Sequence, residues 1–325
     1  MLYSIYAPSM AGVLTNATFI YFVMPLRFPS HVPLVLSPHP PLPLITDVHL
    51  PLLSTLLCFA SDCEENAPIP IPQGAVPVVN VEKEIMDHFH RGPPPCYVRN
   101  RGVRQKGNEI EVDIEVNSKR VVVSIAQSLS LLHRPGMTGV VVWDSALALL
   151  LFAMKHRHWL QLSSMHVLEL GCGVGLVGIG LGYLTRGCIL TDRASVVELA
   201  RKNIRRNPGI QEKVTARELL WEVKDDIPLP AWVRCDLLVA ADCAYNDEVI
   251  EPFVSTLARI CRQGRRTLAL LSQELRSAEV HAMFLERILA AGFAMYRVPD
   301  RMLEGLGIAG VAIYLAWLRE MQVEE

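Results

Sequence analysis

The segment Val167–Gly178, reading VLELGCGVGLVG, constrains this chain more than any other part of it. The apolar run His166–Leu170 has the length of a buried strand, and Leu176–Leu184 carries apolar residues at helical density. Gly171, Gly173 and Gly175 stand at the junction, and Gly178 follows just inside the helix. Glycines there permit a tight turn and let a ligand approach the backbone at the start of a helix. The sequence beyond repeats this rhythm. Strands are expected at Cys188–Thr191, Val214–Glu218, Cys235–Ala240 and Thr267–Leu271. Helices are expected at Ser195–Arg206, Glu248–Ile260 and Ala278–Ala291. Short apolar strands alternating with helices imply an α/β fold, a Rossmann-like parallel sheet covered on both faces.

Both ends of this unit depart from it. Phe293–Val298 and Val311–Leu318 read as two strands with no long helix between them, hence an antiparallel C-terminal hairpin at the sheet edge. Upstream, Glu109–Val116 (EIEVDIEV) alternates strictly, as a half-buried strand does. The turn-like Asn117-Ser118-Lys119 and a short strand at Val121–Ile125 complete an N-terminal β-hairpin extension. Ser145–His156 reads as a helix. The expected division is an apolar, proline-rich, poorly ordered extension over 1–80, a linker with the hairpin over 81–138, and a nucleotide-binding domain over 139–325.

Residues 1–80 differ in texture from the rest. The first charge is Arg27, and the apolar stretch Met1–Leu26 is long enough to span a bilayer. It lacks the basic start of a signal peptide, and proline-rich flanks cannot build a core. An unstructured extension, or sequence ahead of the native start, is the favoured expectation over a membrane anchor, which stays open for 1–26.

Composition narrows the partners. The formal net charge of −2 gives no strong field to concentrate nucleic acid or an anionic membrane, and neither is expected. The local basic run Arg201, Lys202, Arg205 and Arg206 reads as a solvated helix face. The eight cysteines form no CxxC pair and no cluster with histidine, so no metal is expected. Their apolar surroundings suit a reducing compartment, and the cytoplasm, with the nucleus open, is the expected location.

The glycine turn alone leaves the ligand open. Gly173–Gly178 satisfies the dinucleotide pattern GxGxxG, and Asp192 ends the next strand, where an acidic residue grips a ribose. Nicotinamide dinucleotide and S-adenosylmethionine both fit. Three features favour the second. Glu169 precedes the first glycine by two, where methyltransferases use an acidic residue to help position the cofactor's amino-acid end. A hairpin, Trp143 and a helix precede the first core strand. The sheet ends in an antiparallel hairpin.

Four blocks then converge: GVVVWDSALAL (Gly139–Leu149), VLELGCGVGLVGI (Val167–Ile179), ELLW (Glu218–Trp221) and LLVAADCAYNDEVIEPFVSTL (Leu237–Leu257). Their order and spacing resemble the seven-β-strand protein-lysine methyltransferases of the methyltransferase-like 21 group, particularly members acting on a hexameric AAA ATPase. The resemblance runs from about Glu109 to the C-terminus. It implies a seven-stranded methyltransferase sheet and S-adenosylmethionine as cofactor. Trp143 would pack near the cofactor beside the glycine turn. The backbone of Gly171, Cys172 and Gly173 would surround the methionine portion, and Glu169 would help place it. Asp192 would accept hydrogen bonds from both ribose hydroxyls, Trp221 would lie near the adenine, and Ala241 would make a main-chain contact. Asp242 and Tyr245 of the DxxY motif would face the substrate lysine. A plain strand-to-helix turn in which Asp242 caps the next helix is the competing structural reading.

The reaction so implied is transfer of a methyl group to the ε-amine of a lysine in a protein partner, an AAA ATPase, chaperone or elongation factor, by a monomeric enzyme. Methylation of a small molecule or another side chain, and a non-catalytic binding module, are the alternatives.

Overall fold

The computed structural model describes residues 67–90, 107–221, 230–264 and 266–319. Met1–Leu26, and most of the proline-rich segment after it, lie outside the described residues. Ten strands are described: β1 Val76–Pro77, β2 Glu109–Val116, β3 Lys119–Ala126, β4 His166–Leu170, β5 Gly187–Asp192, β6 Val214–Glu218, β7 Leu237–Ala241, β8 Leu268–Glu274, β9 Phe293–Arg297 and β10 Val311–Leu318. The α-helices are α1 Val81–Ile85, α2 Asp144–Lys155, α3 Leu176–Gly182, α4 Ala194–Arg206, α5 Asp247–Gln263, α6 Ala278–Ala290 and α7 Asp300–Leu303.

Eight strands form one sheet in the order β1-β9-β10-β8-β7-β4-β5-β6. The run from β8 to β6 is parallel, and β10 pairs antiparallel with both β8 and β9. The C-terminal strands are therefore antiparallel as expected, but β10 is inserted between β8 and β9 rather than lying outside. The outermost strand is β1, which pairs Val76 with Arg297 and Pro77 with Tyr296. The edge thus goes to a two-residue strand with proline, a segment poorly suited to recruiting another strand.

Alternate residues of the central strands feed two apolar layers. Val167, Leu237, Val239, Leu270, Ile313 and Leu315 face α2, α3 and α4. Leu168, Leu170, Leu238, Ala240, Leu271 and Tyr314 face α5 and α6. Strands buried on both sides can be apolar throughout, which is why LLVAA and VAIYLAWL show no alternation.

Residues 67–80, within the segment expected to be poorly ordered, are packed: Ile69 and Val78 are buried and belong to the two core layers. Asn80 caps α1 by accepting the Lys83 amide at 2.8 Å. The buried Glu84 of α1 then accepts the Tyr314 hydroxyl at 3.1 Å and forms an ion pair with Arg297 at 2.7 Å. His281 completes this cluster at 2.8 Å from Tyr314, and burial pushes its imidazole down to about 3.

The separate β2–β3 hairpin turns through Asn117 and Ser118, both at positive φ, as a two-residue hairpin turn requires. It docks on α4 without a partner strand. The side-chain amide of Asn203 exchanges hydrogen bonds with the backbone of Ala126, 2.9 Å each way, and Asn207 does the same with Ser124. Two asparagines one helical turn apart thus satisfy the edge of β3.

Candidate active site

A cleft of about 700 Å³ opens at the carboxyl ends of β4, β5 and β7. In open α/β sheets this is where ligands bind. It is lined by Trp143, Glu169, Gly171, Cys172, Gly173, Asp192, Trp221, Ala241, Asp242 and Tyr245. All ten residues singled out from the sequence are therefore brought together, from five stretches of chain.

The glycine turn forms the floor. Gly171, Gly173 and Gly175 lie at φ +63°, +54° and +89°, a region that favours glycine. A Cβ on Gly171 would lie 2.8 Å from the Cys243 Sγ and 3.0 Å from the Trp221 ring. A Cβ on Gly173 would lie 2.8 Å from the Gly139 carbonyl oxygen. The GVVVWD block thus closes directly over the turn. Cys172 is buried, and burial drives its thiol well above the ordinary range, so it is an inert wall and not an oxidation site.

Two carboxylates brace the turn. The Asp192 Oδ2 accepts the Gly173 amide at 2.9 Å, and its Oδ1 accepts the Arg193 amide at 2.8 Å. Burial raises this carboxyl, and the two amides and the Arg193 charge oppose the rise. Each oxygen has a lone pair left, so two hydroxyls of a ligand can still be accepted. The Glu169 Oε2 accepts the Gly178 amide at 2.8 Å, at the first turn of α3. Its burial pushes it up to about 8, with the Gly178 bond opposing. Glu169 therefore fixes the helix start as well as lining the cleft.

The other wall is aromatic. Trp143 precedes α2 and donates its Nε1–H to the Thr138 carbonyl at 3.0 Å, which ties the covering loop to α2. Trp221 leans on Phe253 with ring centroids 5.2 Å apart. Tyr245 is half-exposed at the mouth of the cleft.

Asp242 stands just past β7 with φ +58°, a left-handed conformation rare outside glycine, asparagine and aspartate. It does not cap α5. Asn246 does, accepting the Val249 amide at 3.1 Å. Asp242 is instead held from β8 and the residues after it. Its Oδ1 accepts from the Gln273 Nε2 at 3.2 Å and from the Glu274 amide at 3.3 Å, and its Oδ2 accepts from Arg276. Burial raises the Asp242 carboxyl, and Arg276 opposes that rise. Arg276 also pairs with Glu274 at 2.8 Å and lies over the Trp143 ring at 4.8 Å. Sequence reasoning missed Arg276. Its segment, Ser272–Arg276, looks like an ordinary strand end, and its role arises only when β7 and β8 lie side by side.

Residues 130–291 match the sequence profile of the lysine methyltransferase family. The chain is 34% identical over 138 residues to the protein N-lysine methyltransferase METTL21A of Danio rerio, covering 42% of this chain and 61% of that one. To the protein-lysine N-methyltransferase EEF2KMT of Mus musculus it is 28% identical over 192 residues, covering 54% of this chain and 56% of that one. The chain thus spans less than two thirds of the length of these curated relatives. Among solved structures, the 16S rRNA N2 G1207 methyltransferase RsmC of T. Thermophilus, in complex with AdoMet and guanosine, matches with a TM-score of 0.41 at 15% identity, covering 66% of this chain and 51% of that one.

In the basic run of α4, Lys202 and Arg205 are exposed, while the other two residues are engaged. Arg201 donates to the Ala216 carbonyl at 3.0 Å, and Arg206 pairs with Glu109 at 2.7 Å. Among the described residues no group of three metal-ligating side chains occurs, and no helix is long and apolar enough to cross a membrane.

Proposed function

We propose that this protein is an S-adenosylmethionine-dependent protein-lysine N-methyltransferase. The observation that carries the reading is the convergence in one cleft of the glycine turn, Asp192 and the anchored Asp242. The residues fit the cofactor. Gly171, Cys172 and Gly173 line the cleft beside Trp143 and Trp221, and Asp192 keeps acceptor capacity beyond its two amide bonds. Gly171, Cys172 and Gly173 would hold the methionine portion, Asp192 the ribose, Trp221 the adenine, with Ala241 offering its main chain.

The cofactor supplies a methyl group on a positively charged sulfur. Held there, it would give that methyl to the lone pair of a lysine nitrogen, the electrons of the sulfur–carbon bond remaining on sulfur. The surplus proton on nitrogen passes to solvent. Only the neutral amine can attack, and free lysine has a pKa of about 10.4, so the site must favour the unprotonated form. Trp143, Val142 and Leu219 give the cleft apolar walls that disfavour an ammonium. Asp242 and Tyr245 orient the amine, and alignment supplies much of the rate.

The partner is a protein presenting an accessible lysine, an ATPase, chaperone or elongation factor, and the enzyme works as a monomer. The described cysteines are all buried free thiols, which supports a reducing compartment and hence the cytoplasm or nucleus.

The test is incubation with labelled S-adenosylmethionine and an extract of the protein's own cells. One labelled protein whose modification maps to lysine is the expected result. Label on another side chain or on a small molecule overturns the lysine assignment.

A further inference from the structure

Arg276 has no place in the reading just given, yet its side chain meets two carboxylates and an aromatic ring of the cleft. Its backbone is fixed on both sides. Leu275 donates its amide to the Gly310 carbonyl at 2.8 Å, and Ser277 caps α6 by accepting the Val280 amide at 3.3 Å. Its guanidinium reaches back to the Asp242 Oδ2 and the Glu274 Oε2, with the Trp143 ring beneath it. A planar fork that is always charged suits such a carboxylate-and-aromatic seat.

The pairing has a chemical consequence. A buried carboxylate standing alone beside an amine stabilises the ammonium and so opposes transfer. With Arg276 on its Oδ2, Asp242 keeps lone pairs to orient an amine while its field is compensated. We propose that Arg276 is a positioning residue that makes Asp242 an acceptor for a neutral amine instead of a counter-ion for an ammonium. The proposal rests on the methyl-transfer reading above. Glu274 shares the guanidinium and so sets how much compensation Asp242 receives. Of the cleft's other carboxylates, Glu169 and Asp192 are bound to backbone amides and Glu248 stands on the first turn of α5, and Arg193 is the other cation among the described lining residues. None of these contacts Asp242 among its described hydrogen bonds.

The experiment compares two cofactor analogues by calorimetry. S-adenosylhomocysteine lacks the methyl group, and sinefungin carries an amine in place of it. The ratio of their affinities reports how well the site tolerates an ammonium where transfer occurs. Arg276→Gln should shift this ratio toward sinefungin by about tenfold, since a positive charge nearby is removed. Glu274→Gln should shift it the other way, and Arg276→Lys should restore most of the wild-type ratio. A merely structural role would weaken both analogues together. Ratios within about twofold of wild type in both Arg276→Gln and Glu274→Gln overturn the proposal, and so does a shift of the same sign in both. Should Arg276→Gln fail to fold, the sign of the Glu274→Gln shift decides alone. Wild-type protein that binds neither analogue overturns instead the cofactor reading on which the proposal stands.

Discussion

The amide of Gly173 donates to the Oδ2 of Asp192 at 2.9 Å, so the second glycine of the turn and the last residue of the neighbouring strand form one bonded unit. Asp192 holds the turn in shape, and in the proposed function it also keeps lone pairs for a ribose. Asp192→Ala removes both. Two charge-assisted hydrogen bonds to the ligand correspond to about 3 kcal/mol, or roughly a hundredfold in Kd. Calorimetric titration with S-adenosylmethionine checks this, and unchanged affinity removes Asp192 from the ribose role.

Asp242→Asn separates charge from shape. Asparagine tolerates the left-handed conformation at this position and can still accept from the Gln273 side chain and the Glu274 amide. The fold should survive, with a cooperative thermal transition like that of wild type. The compensated carboxylate is lost, and methyl transfer should fall by at least about a hundredfold. Labelled transfer measured on the purified variant checks it. Wild-type rates would remove the DxxY motif from the chemistry.

The parallel core was legible nearly residue by residue. His166–Leu170 and Val214–Glu218 are strands with the expected bounds: the first is buried along most of its length, and the second begins with apolar and polar residues in alternation, as an outer strand does. The glycine turn was equally legible, since its positive φ values demand glycine. What stayed hidden depends on distant partners. The insertion of β10 beside β8 follows from pairing, not from either strand's own residues. Val78 looked like one apolar residue among prolines, and its burial needs the sheet edge to exist. Asp242 could be read as a cap or as a site residue from sequence, and the two readings part only once Asn246 is seen to hold the Val249 amide. Arg276 was invisible for the same reason: its partners Trp143 and Asp242 lie far from it in the chain.

Glu169 predicts a pH dependence of stability. Its folded-state value is raised to about 8 from an ordinary 4.5, chiefly by burial. Between these values the folded state holds a proton that the unfolded chain has released, so stability falls as pH rises across this window. The loss is about 1.4 kcal/mol per pH unit at most. Below the lower value the contribution is fully present, and above the upper one it is gone. Glu169→Gln cannot titrate, so its Tm should decline less than that of wild type between about pH 5 and pH 8. Parallel pH series of thermal melts check the difference. Identical slopes would mean that Glu169 is already ionised in the folded protein.

The docking of the hairpin rests on a substitution of side chain for strand, and it can be tested at single-residue resolution. Asn203 is fully buried, and its amide group serves Ala126 on both backbone atoms and the Val174 carbonyl at 2.8 Å. Asn203→Ala leaves the part-buried Ala126 groups and the buried Val174 carbonyl without that partner. Stranding buried backbone groups costs about 1–3 kcal/mol each before relaxation. The whole protein should lose roughly 2–4 kcal/mol in urea unfolding. The local signature is sharper than the global one. The Ala126 amide should exchange its hydrogen much faster than in wild type. The Ser124 amide, still accepted by Asn207 at 2.9 Å, should keep more of its protection. Equal acceleration at both positions would show that the hairpin lifts off as a unit. Unchanged exchange at Ala126 would show that the Asn203 amide does not hold it. Gln127, next in the chain, accepts the Val142 amide at 3.0 Å beside Trp143. Loosening at Ala126 should therefore also lower affinity for S-adenosylmethionine, and the same calorimetry used for Asp192→Ala measures that coupling.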